Sequence, residues 1–229
     1  MIGFIKMKFG FYKRYLIHIV NHFKERYYLK NCRNRLKNKD FSIISNNCWG
    51  GSVCEDLGSS YFSPTIGLFF FSPCYIKFLE DLKDNLMEEM VFITKSKYER
   101  GNYLQTLNPY PIGLIKGEIE VHFLHYKTNV EAEEKWKRRC RRVNFNNLFL
   151  SFSDSEGCTY AQVKKFDSLP YRKVFFSAKK IEGIRSLVFL KSYHGQPGIG
   201  NIYDDRWKYR RHFDVVNWLN SKVEKHSNA

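Results

Sequence analysis

Residues 41–51 constrain the fold more than any other stretch of the chain. Phe41-Ser42-Ile43-Ile44 is a short apolar run, and Ser45-Asn46-Asn47-Cys48-Trp49-Gly50-Gly51 follows it directly. A short apolar run bounded by turn residues reads as a buried strand. The two glycines permit a sharp turn, and Ser52 is placed to cap a helix. A strand, a tight polar turn carrying a thiol and a helix start is how α/β proteins build ligand sites. The same residues also suit a close-packed turn whose Asn side chains only satisfy backbone groups.

The rest of the chain alternates strand and helix signals. Ile66–Phe71 reads as a buried strand, Ser72–Leu86 as a helix opened by Pro73, Met90–Thr94 as a strand and 98–108 as a loop. Ile112–Ile115 and Ile119–Tyr126 read as a hairpin. Val130–Arg142 is a helix capped by Thr128 or Asn129, with acids in its first turn, bases in its last, and i,i+4 pairs between. Asn147–Ser153, a Thr159-capped helix to Phe166, and Val174–Ser177 read as a β-α-β unit. Leu187–Leu190 is a strand and Arg206–Leu219 a closing helix. This order predicts an α/β fold, a three-layer domain over 40–229 with a mixed or mostly parallel sheet.

An N-terminal amphipathic helix is expected over 1–39. Phe9, Tyr12, Leu16, Ile19, Val20, Phe23 and Tyr27 share a face at helical spacing. Charge is concentrated there. Residues 1–40 hold eleven Lys or Arg against Glu25 and Asp40, a net of +9 of the chain's +15. Such a helix suits an anionic membrane surface, or packs on its own domain with its basic face in water. The uncharged stretch from Tyr15 to Phe23 is too short to span a bilayer. Nucleic acid is not the expected partner, because the body lacks a basic, aromatic-interleaved pattern. The six cysteines form no Cys-x-x-Cys pair, so neither a disulfide framework nor a zinc site is indicated, and a cytoplasmic location fits.

His122 and His125 invite a metal reading that their spacing opposes, since residues three apart on a strand face opposite ways. No metal is expected, and no cofactor is identified. His125 shares the parity of Ile119, Val121 and Phe123, which places it on the core side of the strand end. Cys48, His125 and Asp154 stand just beyond presumed strand ends. As neighbours they form a catalytic constellation in which His lowers the thiol pKa and Asp orients the imidazole. Backbone amides of 49–52 suit an oxyanion or phosphate. The substrate-binding set is Asn46, Asn47, Trp49, Gly50, Gly51, Ser63, Thr65, His122, Arg138 and Arg142. The glycine loop from His194 to Gly200 matches no phosphate-binding fingerprint and reads as a loop over a site.

Three stretches together resemble a known bacterial family: Ser45–Gly51, Tyr61-Phe62-Ser63-Pro64-Thr65-Ile66-Gly67-Leu68 and His122-Phe123-Leu124-His125-Tyr126. It is the domain-of-unknown-function family number 1919, often labelled exopolysaccharide biosynthesis protein. Trp136, Arg138 to Asn144 and Asp154 to Thr159 are similar too. The resemblance covers residues 40 to 219 and leaves the basic N-terminal segment outside. It implies an α/β fold and a role near capsule or exopolysaccharide gene products, without supplying a reaction. The expected function is a transferase that places an acyl or other small group on a sugar or polysaccharide precursor. An acyl donor suits Cys48 and His125; a phosphoryl-type donor such as glycerol phosphate suits the glycine turn and Arg clusters. The contrasting class is a non-catalytic scaffold on the inner face of the membrane.

Overall fold

Side chains along the central strands alternate between two hydrophobic layers, and that alternation sets the architecture. The computed structural model of the chain describes residues 2–203 and 206–221, with side chains from residue 19 onward. Strands β1 (Ser42–Ser45), β5 (Leu148–Ser153), β6 (Arg172–Ser177) and β7 (Leu187–Phe189) form a parallel sheet in that order. Ile43, Phe149, Val174 and Phe176 face one layer, while Ile44, Leu150, Phe152 and Phe175 face the other. A parallel sheet buried in this way needs cover on both faces. The first layer draws on α1 (Ile2–Arg35), α2 (Trp49–Leu57), α8 (Arg206–Arg210) and α9 (Val215–Asn220). The second draws on α3 (Ser72–Glu80), α7 (Tyr160–Ser168) and a further sheet. This is the expected α/β fold, helices on both sides of a parallel sheet, preceded by a helix.

Of the mixed or mostly parallel sheet expected, the four central strands are parallel, and a further sheet stands apart from them. β2 (Met90–Ile93), β3 (Ile112–Ile115) and β4 (Ile119–His122) pair antiparallel in that order, apart from the parallel four. The β3–β4 hairpin turns through Lys116 and Gly117, both at positive φ, as tight hairpins require. Residues 66–71 do not form the expected strand. They run between the sheets, where neighbours choose opposite partners. The Phe70 N–H donates to Asn46 O at 2.9 Å, while Phe69 exchanges backbone bonds with His122 at 2.9 and 3.0 Å.

Local helix signals held where capping chemistry was strong. In α6 (Asn129–Cys140) the Thr128 hydroxyl accepts from Glu131 N–H, and Glu131–Lys135 and Glu133–Lys137 pair at 2.6 Å. Thr159 and Gln162 form a full capping box at α7. The helix expected over 72–86 breaks at Asp81 into α3 and α4 (Leu82–Met87). Residues 98–108, expected as loop, hold α5 (Glu99–Leu107). Its Gly101 is required by contact, since a Cβ there falls 2.6 Å from Ser96 Oγ and 2.9 Å from His122 Cε1. The closing helix splits because Asp214 accepts from Val216 and Asn217 N–H and starts α9 afresh.

The second half of α1 packs on the body. Cys32 and Leu36 are buried in the first layer. Glu25 accepts two bonds from Arg210 Nη1 at 2.9 and 2.8 Å, and Arg210 Nη2 reaches Asp56 at 2.8 Å. The outward face carries Val20, Phe23 and Tyr27, exposed by 48, 64 and 76%. The side chains of Phe9, Tyr12 and Leu16 lie outside the described ones.

Candidate functional site

The carboxyl ends of β1 and β5 meet in a network of uncharged polar groups. Asn46 is buried, and its Oδ1 accepts from Ser153 N–H at 3.2 Å, so its side chain extends the ladder between the two strands. Asn47 Nδ2 donates to Ser153 Oγ at 3.2 Å, and Ser153 Oγ lies 2.8 Å from Ser155 Oγ. Asn47 and Ser155 are partly exposed, so the network opens to solvent through them. These groups both donate and accept, which suits a hydroxyl-bearing ligand.

Asp154 anchors the neighbouring loops. Its carboxylate accepts from Ser177 Oγ–H at 2.7 Å, Ala178 N–H at 2.8 Å and Ile199 N–H at 2.7 Å. It thereby ties β5 to the end of β6 and to the glycine loop, and among the described residues no imidazole is bonded to it. His125 does not face the core as expected. β4 ends at His122, the chain then turns, and the strand parity stops before His125, which is exposed. Its N–H donates to Gly67 O at 3.0 Å.

Cys48 sits against the same short segment, with Sγ 3.7 Å from Leu68 O. Among the described residues no hydrogen bond joins this thiol to His125. Burial pushes the Cys48 thiol up, and only backbone contacts with Gly67 and Leu68 oppose it. The structure therefore brings Cys48 and His125 to one segment but does not build a thiolate–imidazole pair.

Three of the four amides from Trp49 to Ser52 have partners. Trp49 N–H donates to Asn47 Oδ1 at 3.0 Å, Gly50 N–H to Ser45 Oγ at 3.2 Å, and Ser52 N–H to Cys48 O at 3.1 Å. The helix therefore starts at Trp49, ahead of the expected cap Ser52, with Cys48 at its N-cap and Asn47 holding its first amide. The Trp49 ring is buried among Phe176, Tyr209, Phe213 and Trp218, so it packs and does not reach a ligand. Gly50 and Gly51 are close-packed, against Ile43 and Ser45 and against Ile66.

Ser63 and Thr65 are buried, not a rim. Thr65 Oγ1 accepts from Ser45 N–H at 3.1 Å and lies 3.0 Å from Ser63 Oγ, which seals the outer edge of β1. Arg138 and Arg142 are exposed and form no ion pair or hydrogen bond with the network among the described residues. Arg139 between them is the one tied inward, to Ile66 O and the Tyr126 hydroxyl.

His122 belongs to a buried polar cluster. It is fully buried, stacked on Phe69, with Nε2 3.1 Å from Glu120 Oε2 and Nδ1 3.1 Å from the Tyr110 hydroxyl. Glu120 also accepts from Ser96 Oγ–H at 2.6 Å and Lys97 N–H at 2.7 Å. Burial works against its charge, but the bonds from His122, Ser96 and Lys97 prevail and hold its carboxyl below the usual range. Among the described residues no three His, Cys, Asp or Glu side chains gather as metal ligands do.

Sequence reasoning missed Ser153 and Ser155, which flank the Asp154 it did single out. It also missed Glu120, although an acid between Ile119 and Val121 in an apolar run is a sign of a buried, paired charge. Glu156 and Arg100, joined at 3.2 Å, carried no local signal.

Comparison with known proteins now places the chain. An uncharacterized protein of Haemophilus influenzae is 30% identical over 203 residues, covering 86% of this chain and 93% of that one. A family model, Domain of unknown function (DUF1919), matches residues 19–220. That match starts before residue 40 and takes in the docked half of α1 with the α/β body. The chain belongs to the DUF1919 family.

Proposed function

We propose that the protein acts in capsule or exopolysaccharide biosynthesis and transfers a small acyl or phosphoryl-type group to a sugar hydroxyl at the carboxyl edge of the parallel sheet. The observation that carries this reading is the uncharged Asn46, Asn47, Ser153 and Ser155 network, partly open to solvent. Amides and hydroxyls match sugar hydroxyls in both directions of hydrogen bonding. The position also supports it, because ligands of open α/β sheets bind outside the carboxyl ends of strands. The motif resemblance supports the polymer context. Burial of the Cys48 thiol favours direct transfer over a thioester intermediate, since the thiolate is the nucleophilic form. The test is the composition of surface polysaccharide from cells lacking the protein and from cells carrying Asn47→Ala at equal protein level. Selective loss of one substituent is expected. Unchanged composition in both strains refutes the reading, and loss of the polymer itself indicates a scaffold.

The face of α1 supports a peripheral location on the inner membrane leaflet. Lys24, Arg26 and Lys30 lie among the exposed Val20, Phe23 and Tyr27, and the acid between them, Glu25, turns inward to Arg210. No helix among the described residues is long and apolar enough to cross a membrane. An aromatic, basic helix face suits the headgroup zone of an anionic bilayer. Sedimentation with phosphatidylserine vesicles is expected to weaken with salt and in Phe23→Ser/Tyr27→Ser. Equal binding by that double variant refutes this location.

A further inference from the structure

Asp154 and Glu156 follow the end of β5 and Glu120 lies on β4, and two of these three carboxylates are anchors. Asp154 and Glu120 each accept three hydrogen bonds. Glu156 is built differently. Its side chain is only 17% exposed, yet its one partner among the described residues is Arg100, whose side chain is 65% exposed, 3.2 Å from Oε1. Its Oε2 is buried and meets no donor among the described residues. Its backbone has φ +58°, a conformation glycine adopts freely and a residue with a Cβ does not. The turn is held by bonds that do not use this side chain. Ser72 N–H donates to Glu156 O at 3.1 Å, and Ser72 Oγ–H to Ser155 O at 2.8 Å.

Glu156 thus gains no anchoring bond in return for burial and strain. Orphaned buried atoms and strained residues concentrate where a ligand completes the structure. Arg100 stands mostly in water and holds Glu156 through a single contact, so a ligand can displace it. The terminal torsion of a glutamate is broad, which lets Oε2 turn outward once Arg100 moves. Ser155, the next residue, belongs to the uncharged network.

We propose that Glu156 and Arg100 are the ligand-contacting pair of this site and that they take adjacent hydroxyls of a sugar, the carboxylate accepting from one and the guanidinium donating to the next. The inference rests on the reading that the network binds a sugar, and it adds orientation. Asn47 and Ser155 donate and accept alike, whereas a carboxylate only accepts and a guanidinium only donates. Burial pushes the Glu156 carboxyl up, against the charges of Arg100 and His122, so a donated hydroxyl proton favours its ionised form.

Amide NMR of the full chain with glucose, galactose and N-acetylglucosamine at millimolar concentration tests the pair. Shifts at Arg100, Ser155, Glu156 and Gly157 are expected with at least one sugar and are lost in Glu156→Gln and Arg100→Ala. Thermal melts give a second readout. Glu156→Gln and Glu156→Gly keep or raise Tm, whereas Asp154→Asn, which loosens an anchor, lowers it. A fall of several degrees in both Glu156 variants overturns the inference by making Glu156 a third anchor. Shifts that survive Glu156→Gln but vanish in Asn47→Ala overturn it and leave the proposed site standing. No shift with any of the three sugars overturns the hydroxyl-bearing ligand itself.

Discussion

Arg210→Ala is the perturbation that most directly tests how α1 and the body form one unit. The guanidinium is 1% exposed and bonds Glu25 of α1 and Asp56 of α2, which are 31 and 8% exposed. Removing it leaves Glu25 able to rehydrate, but Asp56 stays buried with Arg206 as its remaining side-chain partner. Breaking a buried pair from one side costs about 3–5 kcal/mol, because the other charge is left uncompensated. At about 2–4 °C per kcal/mol for a domain of this size, Tm falls by about 10 °C. Denaturant unfolding gives the same loss as a shifted midpoint at unchanged slope. The deficit also depends on pH. Burial already raises the Asp56 carboxyl above its ordinary 3.8, and Arg210 and Arg206 oppose that rise. Without Arg210 it rises further. A carboxyl raised in the folded state contributes stability below its unfolded pKa and loses it as pH climbs through the folded value. The gap to wild type therefore widens from acid to neutral pH. A loss of under about 1 kcal/mol, the range of exposed pairs, refutes the reasoning, as does a gap that does not change with pH.

Three further outcomes follow from the site. With its thiol held up by burial, Cys48 is expected to alkylate with iodoacetamide more slowly than free cysteine at neutral pH, and Cys48→Ser to leave polysaccharide substituents unchanged; fast alkylation or substituent loss contradicts this. Gly50→Ala sets a Cβ 2.9 Å from both Ile43 Cγ2 and Ser45 Oγ, a clash expected to cost about 1–3 kcal/mol in denaturant unfolding, and an unmoved midpoint contradicts it. Glu120, lowered in the fold, stabilises above its ordinary 4.5 and loses that contribution as pH falls through its folded value. Glu120→Gln therefore costs about 1–3 kcal/mol at neutral pH, and its melting curve converges on wild type in acid; a constant gap contradicts the assignment.

What was legible in the sequence was what local chemistry decides. Thr128 and Thr159 cap their helices through side-chain bonds within three residues, and both were readable. The apolar run at Ile43–Ile44 needed only burial to become a strand. α5 was not readable, because Gly101 and Asn102 weaken its helix signal and their places are set by tertiary contact. Asn102 bonds Ser96, and Gly101 leaves room for His122. The Cys48, His125 and Asp154 constellation depended on strand order, which no local pattern contains, and the fold brings Cys48 and His125 to one segment with no bond between them among the described residues. β1 neighbours β5, so Asp154 is near the turn, whereas His125 follows a strand of the other sheet. The period-2 argument then misplaced His125, since it presumed a strand four residues longer than the one that forms.

The position of the site follows from the same topology. Between β1 and β5, adjacent in the sheet, the chain makes a detour from residue 46 to residue 147. That detour returns to the turn after β5 at three points. Asn46 and Asn47, at its start, bond Ser153. Ser72, where α3 begins, holds the carbonyls of Ser155 and Glu156. Arg100, in α5, meets the Glu156 carboxylate. The detour is pinned on the far side by Phe69 and His122, which lock residues 66–71 to the second sheet. Each of these polar contacts therefore comes from a different part of the detour. Groups fixed by several elements at once are held more rigidly than groups on one loop, and rigid placement is what recognition of small polar ligands requires. Cys48 has the opposite character. Its Sγ lies 3.7 Å from Leu68 O, and backbone contacts with Gly67 and Leu68 are what oppose the effect of its burial. The elements converge on the polar groups at the end of β5, and among the described residues no hydrogen bond joins Cys48 to them.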